Sequence, residues 1–397
     1  MFFAPISENI IEGASNSRHN RAELRSRLGS AWSCVRLLVL ACVGVGLLAL
    51  ENASLAQQGA ASFEDLAGRA AAARDGGNLP LAIDLYGQAE QVKPDWAEGW
   101  FYLGMLQYSA NAYPAAIDAF NHLLALQPGV PPGMALRGLC EFETGAYDDA
   151  LRDLEQAVAK GAANEPRNEQ ILRFHLAELL TRNSRFQDAL AQYQFFAAKN
   201  ILDEDVLVGL GLAGMRVPLL TKDVPAGDRE MYKAAGAAGY ALLAENTQEA
   251  DGLFAQLFTR YPTTPNLHFF YGFLLFPHTP ELAIEQFKSE VAISPGNLEA
   301  HAMLAFTLMI ASRYAEAEPE AELVLAKAPD MEMVQLALGR SLAEIGDVKR
   351  GTELLNQVLQ ADPDNLEAHL GMASIYSRTG RREDAYREHM VCRSLAK

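Results

Sequence analysis

Three glycines, Gly209, Gly211 and Gly214, form the pattern Gly-x-Gly-x-x-Gly, the most obvious candidate for chemistry in this chain. In dinucleotide-binding proteins such glycines let the backbone approach a pyrophosphate at the start of a helix. That use requires a preceding strand within a βαβ unit. Here the surrounding residues have the apolar spacing of helices, and Pro218 follows closely. We therefore expect no nucleotide cofactor at this motif.

The histidines offer no catalytic or metal-binding arrangement. His175 and Glu178 lie three residues apart on a predicted helix, but no second histidine stands at the spacing of a metal-ligand pair. Three further histidines recur at one position of a repeat described below, where side chains are expected to be core or half-buried: His268, His301 and His369. Nucleophile-elbow, zincin and phosphate-loop patterns are absent from the sequence. The chain is predicted not to be an enzyme and to hold no cofactor and no metal.

Composition and cysteine usage exclude two further classes. The 397 residues carry a net charge of −17, which would repel a phosphate backbone, so no nucleic-acid partner is expected. Cys34 and Cys42 fall in the N-terminal leader, while Cys140 and Cys392 stand far apart in the remainder. The latter two are predicted to be small buried residues rather than disulfide or zinc ligands.

Residues 1–56 have the pattern of a secretory signal peptide. Several arginines precede an apolar run from Leu37 to Leu50, and Ser54 and Ala56 place small residues before a cleavage point. We expect cleavage before Gln57, with residues 57–62 as a linker. The mature chain is then predicted to be periplasmic or secreted, with no membrane contact after cleavage.

Three alternatives concern this leader. The apolar run has 14 residues, fewer than the roughly 20 that a spanning helix needs, but an uncleaved leader would act as a single N-terminal membrane anchor. The leader is also long, and translation from Val35 would give it an ordinary length. Val39–Cys42 resembles the lipobox of bacterial lipoproteins, although the apolar run continues beyond it.

A repeat with a period of 34 residues organises most of the chain. The pentapeptide Asn-Leu-Glu-Ala-His occurs at 297–301 and at 365–369, an offset of 68 residues, or two periods. Around it, a small residue, an aromatic or leucine, another apolar residue and a proline return with the same period. A repeat of this length is typical of a helix-turn-helix solenoid.

The clearest unit is Ala97–Val130, numbered here as positions 1 to 34. Positions 4, 7, 8 and 11 share one face of a first predicted helix, and positions 17, 20, 24 and 27 share one face of a second. Small residues at positions 8 and 20, such as Gly104 and Ala116, let the two helices approach closely. Glycine or asparagine near position 15 makes the turn, and Pro128 at position 32 ends the second helix.

These landmarks resemble the tetratricopeptide repeat family. The resemblance implies an all-α fold, a right-handed α-α superhelical solenoid of about nine helix-turn-helix units. Four units form an N-terminal array over 63–203 and five form a C-terminal array over 231–397. The units are Phe63–Trp96, Ala97–Val130, Pro131–Asn164, Gln170–Asp203, Met231–Thr264, Pro265–Asn297, Leu298–Met331, Glu332–Asn365 and Leu366–Lys397.

Two stretches break the period. Glu165–Glu169 is a short insert. Residues 204–230 begin like a first helix, but Pro218 and Pro225 disfavour a regular second helix. This second stretch is either a degenerate repeat or loop insert, or a joint between two sub-arrays.

The resemblance also implies a concave groove lined by positions 2, 5, 9 and 12 of the first helices. Position 5 is Phe, Ala or Leu in the nine units, which argues against the Lys, Asn and Arg clamp that some family members use for a C-terminal carboxylate. An apolar, aromatic-lined groove suits an amphipathic helix or an extended apolar peptide. The candidate partner-binding residues are Phe101, Met105, Tyr108, Leu139, Phe142, Phe174, Phe269, Phe273 and Phe276.

The sequence thus predicts an exported scaffold that binds a protein or peptide in this groove. The alternative is a structural or membrane-anchored spacer in an envelope assembly, without a peptide-binding groove. The groove side chains could also be covered already, by a tight superhelix or by residues 204–230. An enzyme that uses the glycine motif ranks last.

Overall fold

The structure is a computed structural model that describes residues 62–162 and 166–395. The predicted leader and most of the predicted linker lie outside these residues. The described chain is all-helical, and none of its helices is long and apolar enough to cross a bilayer. In chain order the helices are α1 Phe63–Asp75, α2 Leu79–Val92, α3 Ala97–Ser109, α4 Tyr113–Leu126, α5 Pro131–Thr144, α6 Tyr147–Ala159, α7 Pro166–Arg182, α8 Phe186–Ala198, α9 Glu204–Gly214, α10 Arg229–Leu243, α11 Thr247–Arg260, α12 Leu267–Leu275, α13 Pro280–Ile293, α14 Leu298–Ile310, α15 Tyr314–Leu325, α16 Glu332–Ile345, α17 Val348–Ala361, α18 Leu366–Arg378 and α19 Arg382–Leu395.

These helices confirm the prediction of an all-α helix-turn-helix repeat fold. Each predicted unit supplies a first and a second helix, and the boundaries fall close to the 34-residue register. One difference occurs at α7, which begins at Pro166 rather than at Gln170. Residues 166–169 of the short insert therefore lengthen the first helix of that unit.

The chain divides into two compact units, at Gly99. Within the described residues the first unit holds α1, α2 and the start of α3. The hydroxyl of Ser62 caps α1 by accepting a hydrogen bond from the Asp65 amide. The ring of Trp96 packs edge-on against Phe63, with 5.1 Å between centroids.

In the second of these compact parts, which begins at Trp100, small residues on the first helices of the repeats contact large side chains from the second helices. The Cα of Gly104 faces the ring of Phe120, and that of Gly138 faces Leu154, so closely that a Cβ would force both neighbours to move. Neighbouring first helices also contact one another, as in α5 with α7, α7 with α9, α14 with α16 and α16 with α18. These first helices form a layer. We call the outward face of this layer, which carries positions 2, 5, 9 and 12 of the repeats, the first-helix surface.

The turn between the two helices of a unit falls at position 15 in a left-handed backbone conformation. In eight units this residue has a positive φ, between 57° and 114°. Glycine adopts this conformation without strain, and asparagine more readily than most residues. The residues are Gly77, Asn111, Gly145, Ser184, Glu245, Ser312, Gly346 and Gly380. The recurrence at one position supports the register that the sequence predicts.

The repeat is interrupted after α9, where residues 215–228, the connecting segment, form no second helix. The segment contains one short 3₁₀ helix, Thr221–Asp223. Its prolines account for this, because Pro218 and Pro225 cannot supply backbone donors. One hydrophobic core cluster nevertheless runs from Met134 to Ile375 and includes residues on both sides of the segment.

Without a second helix between them, α9 and α10 pack directly and in parallel. Arg229 at the start of α10 pairs with Asp205 at the start of α9. In the middle, Gly236 lies against the carbonyl of Leu207 and Gly211 lies against that of Tyr232, so that a Cβ at either glycine would collide with backbone. The two backbones therefore touch, which only glycine permits.

This contact gives a prediction for Gly236→Ala. Alanine is the better helix former by about 1 kcal/mol, but at this position its methyl group would force the helices apart. We expect a net loss of about 1–3 kcal/mol in the free energy of unfolding, measured by denaturant titration.

The matched control is Gly252→Ala on α11, where an added Cβ meets nothing within 4 Å. This substitution should stabilise the chain by up to about 1 kcal/mol. Equal effects of the two substitutions would contradict the close packing of α9 and α10.

Candidate partner-binding surface

The glycine motif lies inside α9, not in a loop between a strand and a helix. Its three glycines each serve a different packing contact. Gly209 faces the hydroxyl of Tyr193, Gly211 faces α10, and Gly214 lies against the ring of Phe270. Residues 206–214 are all buried, so the motif is a helix-packing feature and presents no phosphate-binding loop.

The histidines at position 4 join successive repeats. His301 Nδ1 bonds the carboxylate of Glu320, and its Nε2 bonds the Pro295 carbonyl at 3.1 Å. His369 repeats the arrangement with the carboxylate of Glu388 at 2.6 Å and the Pro363 carbonyl at 2.9 Å. Both ring nitrogens face acceptors, so a doubly protonated ring satisfies both bonds.

The repeated pentapeptide is therefore a structural joint. Its asparagine caps the first helix, since the side-chain oxygens of Asn297 and Asn365 accept hydrogen bonds from the amides of Ala300 and Ala368. Its histidine then ties that helix to the preceding proline. Among residues 62–162 and 166–395, no group of His, Cys, Asp and Glu side chains is placed to hold a metal ion.

The connecting segment lies on the first-helix surface. The amide and the hydroxyl of Thr221 both donate to Oε1 of Glu178, at 2.8 and 2.7 Å. Glu178 occupies groove position 9 of its unit and is only 4% exposed. Burial raises the pKa of this carboxyl above its ordinary value, while the two donors from Thr221 oppose the shift.

Two cations of the segment stand over aromatic rings. Each lies over one ring of the first-helix surface, Phe269 or Phe142, and over one ring at the start of a second helix, Phe186 or Tyr147. The guanidinium of Arg216 lies 4.9 Å from the ring centroid of Phe186 and 5.2 Å from that of Phe269. The ammonium of Lys222 lies 5.0 Å from Phe142 and 5.4 Å from Tyr147. These distances are within the range of cation–π attraction.

The segment also reaches further along the array. Arg216 pairs with Glu299 on α14 at 3.3 Å, and Leu220 is fully buried in the core cluster. The segment thus contacts positions 2, 5, 9 and 12 of four different first helices. The sequence left open whether residues 204–230 cover the groove side chains. In the middle of the array, the connecting segment does cover this surface.

The nine predicted surface residues therefore separate into two groups. Leu139, Phe142 and Phe269 are buried within the chain. Cations of the connecting segment lie over Phe142 and Phe269, so a partner would reach these two rings only if the segment moved. The other six are half-buried and retain exposed surface: Phe101, Met105, Tyr108, Phe174, Phe273 and Phe276.

Five of these six half-buried residues, together with Phe306, form two patches, and Phe174 is in neither. The first patch consists of Phe101, Met105 and Tyr108, at positions 5, 9 and 12 of α3, which form one stripe. The second patch consists of Phe273, Phe276 and Phe306 on α12 and its continuation and on α14. The rings of Phe276 and Phe306 lie 5.8 Å apart, and Phe273 borders a small cavity that Arg216 also lines.

Sequence reasoning missed several residues that form this surface or lie on it. Phe306 stands at position 9 of its unit, so the repeat register could have identified it. Arg216, Thr221 and Lys222 had no such signal, because they lie in the interruption and bind residues far away in sequence.

Comparison with known proteins identifies the repeat. Two tetratricopeptide repeat models match, one over residues 67–131 and the other over residues 342–388. The TPR repeat-containing protein MJ1428 of Methanocaldococcus jannaschii is 26% identical over 132 residues, which are 33% of this chain and 22% of that protein. This chain thus spans about a fifth of the length of that curated relative.

Solved structures give weaker likenesses. MamA 41-end from Desulfovibrio magneticus RS-1 is 17% identical and overlaps 42% of this chain and 95% of its own, with a TM-score of 0.37. The P58(IPK) TPR domain is 14% identical and overlaps 84% of this chain and 93% of its own, with a TM-score of 0.29. At these scores neither likeness bears on what this chain binds.

Paired helices in a 34-residue register, with small residues at the pair contacts, define a helix-turn-helix repeat protein. Two repeat models and a repeat-containing relative match parts of the chain, so the chain contains tetratricopeptide repeats, matched over residues 67–131 and 342–388. Such arrays are protein-interaction scaffolds, which agrees with the predicted class of function.

The His369 joint predicts a pH-dependent stability. Burial lowers the pKa of His369, but hydrogen bonds to the Pro363 carbonyl and to Glu388 raise it more, so the net pKa lies above its ordinary value. A raised folded pKa means that the stabilisation is complete below the unfolded pKa of about 6.5 and is lost as pH rises through the folded value. The urea concentration at the unfolding midpoint should therefore decrease as the pH is raised from 6 to 9.

The His369→Ala substitution should cost about 1–3 kcal/mol at pH 6, because two charge-assisted hydrogen bonds are lost. It should also flatten the pH dependence. The control His389→Ala removes an exposed histidine from α19 and should leave the wild-type pH profile. If the two variants behave alike, His369 is not the titrating joint.

Proposed function

We propose that this protein is an exported scaffold that binds a peptide segment of a partner protein on its first-helix surface. The observation that carries the proposal is the pair of aromatic patches on either side of the connecting segment. Both patches expose aromatic side chains that a closed repeat core would bury, and both stand at groove positions of the repeat.

Aromatic side chains in this state favour contact with a protein. Half-exposed Phe, Tyr and Met supply large apolar area with few rotatable bonds, and such residues dominate the binding energy of protein interfaces. The first patch presents its three side chains along a single helical stripe. A peptide that packs on it would bury them further without reorganising the array.

Net charge narrows the class of partner. A chain of charge −17 repels nucleic acid and attracts basic proteins. Export is proposed from the leader sequence, in which the apolar run Leu37–Leu50 precedes the small residues Ser54 and Ala56. The partner would then be an envelope or secreted protein.

Removal of the leader can be tested by itself. Mass spectrometry of the protein from a cell fraction outside the cytoplasm should show a mature chain that begins at Gln57. A chain that retains residues 37–50 in the membrane fraction would instead support the anchored spacer.

The binding surface is tested with two double variants, Phe101→Ser/Tyr108→Ser and Phe273→Ser/Phe276→Ser. Partners captured from an envelope extract by the wild-type chain are identified, purified and titrated against each variant. Since loss of one interface aromatic typically costs about 2 kcal/mol or more, at least one variant should bind about thirtyfold more weakly or worse.

The control variant is Leu126→Ser/Leu282→Ser. Both leucines are large and exposed, at 40% and 54%, but they lie on second helices. The control should bind as the wild type does, and all variants should keep wild-type helical content. A partner that binds both patch variants with wild-type affinity would show that the first-helix surface is not the binding site.

A further inference from the structure

We propose that residues 215–225 act as an intramolecular ligand on the first-helix surface, and that this surface recognises a partner peptide of the same chemistry. That chemistry is two cations six residues apart, on either side of an apolar core that contains proline. The inference rests on the proposed function and names the kind of peptide that the scaffold binds.

The two cations occupy two separate aromatic sites. Arg216 lies between Phe186 and Phe269, whose helices α8 and α12 are distant in sequence. Lys222 lies between Phe142 and Tyr147, on α5 and α6. Each site places one cation of the segment over two rings, and at the lysine site the guanidinium of Arg182 also lies over Tyr147, at 4.5 Å.

Between the two cations the segment is anchored as a peptide ligand would be. Val217, Leu219 and Leu220 pack against the array and Leu220 is fully buried, whereas Pro218 between them is exposed. Thr221 then donates its amide and hydroxyl to the buried carboxylate of Glu178. Along the segment, the array therefore supplies a first cation site, an apolar pocket, a buried acceptor and a second cation site, in that order.

The attachment of the segment is formed by side chains of the surface, which a second peptide can also use. Within the described residues, the backbone hydrogen bonds of the segment are local, such as Leu219 N to Val217 O and Asp223 N to Leu220 O. The bonds from the segment to α7 go through the side chain of Glu178. No backbone ladder would have to be broken to exchange the segment for a partner.

Charge complementarity supports a cationic ligand. Glu178 and Glu299 stand at positions 9 and 2 of the surface, and Arg216 pairs with Glu299 at 3.3 Å. The chain as a whole is acidic. A basic peptide would be attracted to this surface before it makes any close contact.

A synthetic peptide of residues 215–225, labelled with a fluorophore, tests the proposal by fluorescence polarisation. The tethered segment competes at an effective concentration that reaches millimolar for short linkers, so the wild-type chain should bind the peptide weakly. The double variant Arg216→Gln/Lys222→Gln weakens the tethered copy and leaves the surface intact. It should bind the peptide at least about tenfold more tightly than the wild type, because two cation–π contacts favour the free peptide.

Three controls define the chemistry. The variant Lys199→Gln/Lys349→Gln removes the same charge from exposed sites on the second-helix side and should bind like the wild type. A peptide with glutamine at both cation positions should bind the double variant about tenfold more weakly than the original peptide. Adding Tyr147→Leu to the double variant keeps an apolar side chain at this position but removes one ring of the lysine site. This addition should also weaken binding of the original peptide.

The proposal is overturned if the double variant retains its helical content and binds the peptide no better than the wild type. Equal affinity for the cationic and the glutamine peptides would overturn the assignment of partner chemistry. If the double variant loses helical content, the single variant Lys222→Gln, which leaves every apolar contact of the segment in place, is measured with the same expected direction.

Failure here is distinguishable from failure of the proposed function. A captured partner that loses affinity for the patch variants but binds the Arg216→Gln/Lys222→Gln variant and the wild type equally would leave the scaffold function standing and refute self-occupancy. Tighter binding of the partner to the double variant than to the wild type would support both.

Discussion

Helices α9 and α10 touch backbone to backbone at Gly211 and Gly236, and this contact closes the place where a second helix would otherwise stand. Because two first helices pack directly, the core continues from one side of the interruption to the other. Residues 215–228 therefore need not supply a second helix. They connect α9 to α10 across the first-helix surface, and Met215 and Leu220 pack into the core cluster.

The surface under this tether is built for polar and cationic groups as well as apolar ones. Glu178 is buried, and its charged form is supported by two donors from Thr221. Removing the segment without replacement would leave that carboxylate without these donors and would expose four aromatic rings. An arriving peptide must therefore supply a donor and cations of its own, which gives the surface selectivity as well as affinity.

The periodic part of the molecule could be predicted from the sequence. Small residues at positions 8 and 20, the turn at position 15 and the histidines at position 4 all have local reasons, since each depends on neighbours in the same repeat or at the end of the preceding one. Glu245 and Ser312 at position 15 show that the register holds even where glycine is absent. Phe101 and Phe273 were placed on the surface by the same register.

The rest could not be predicted, because it depends on contacts without periodicity. Nothing near Thr221 in sequence indicates that it meets Glu178, 43 residues away. The covering of Phe142 and Phe269 follows from where the connecting segment lies. The prolines of that segment predict only that it is not a helix. Likewise, the glycine motif could be rejected for nucleotide binding by its context, but its packing role required the positions of Tyr193, Gly236 and Phe270.

The most direct measurement is hydrogen exchange of the Thr221 amide in the intact chain, with and without a bound partner peptide. In the free chain this amide donates to a buried carboxylate, so it should exchange about a hundredfold or more slowly than an exposed amide. When the peptide saturates the surface, Thr221 should lose this protection while amides in α16 and α18 keep theirs. A saturating partner that leaves the Thr221 amide protected would contradict the proposal that residues 215–225 and the partner occupy the same surface.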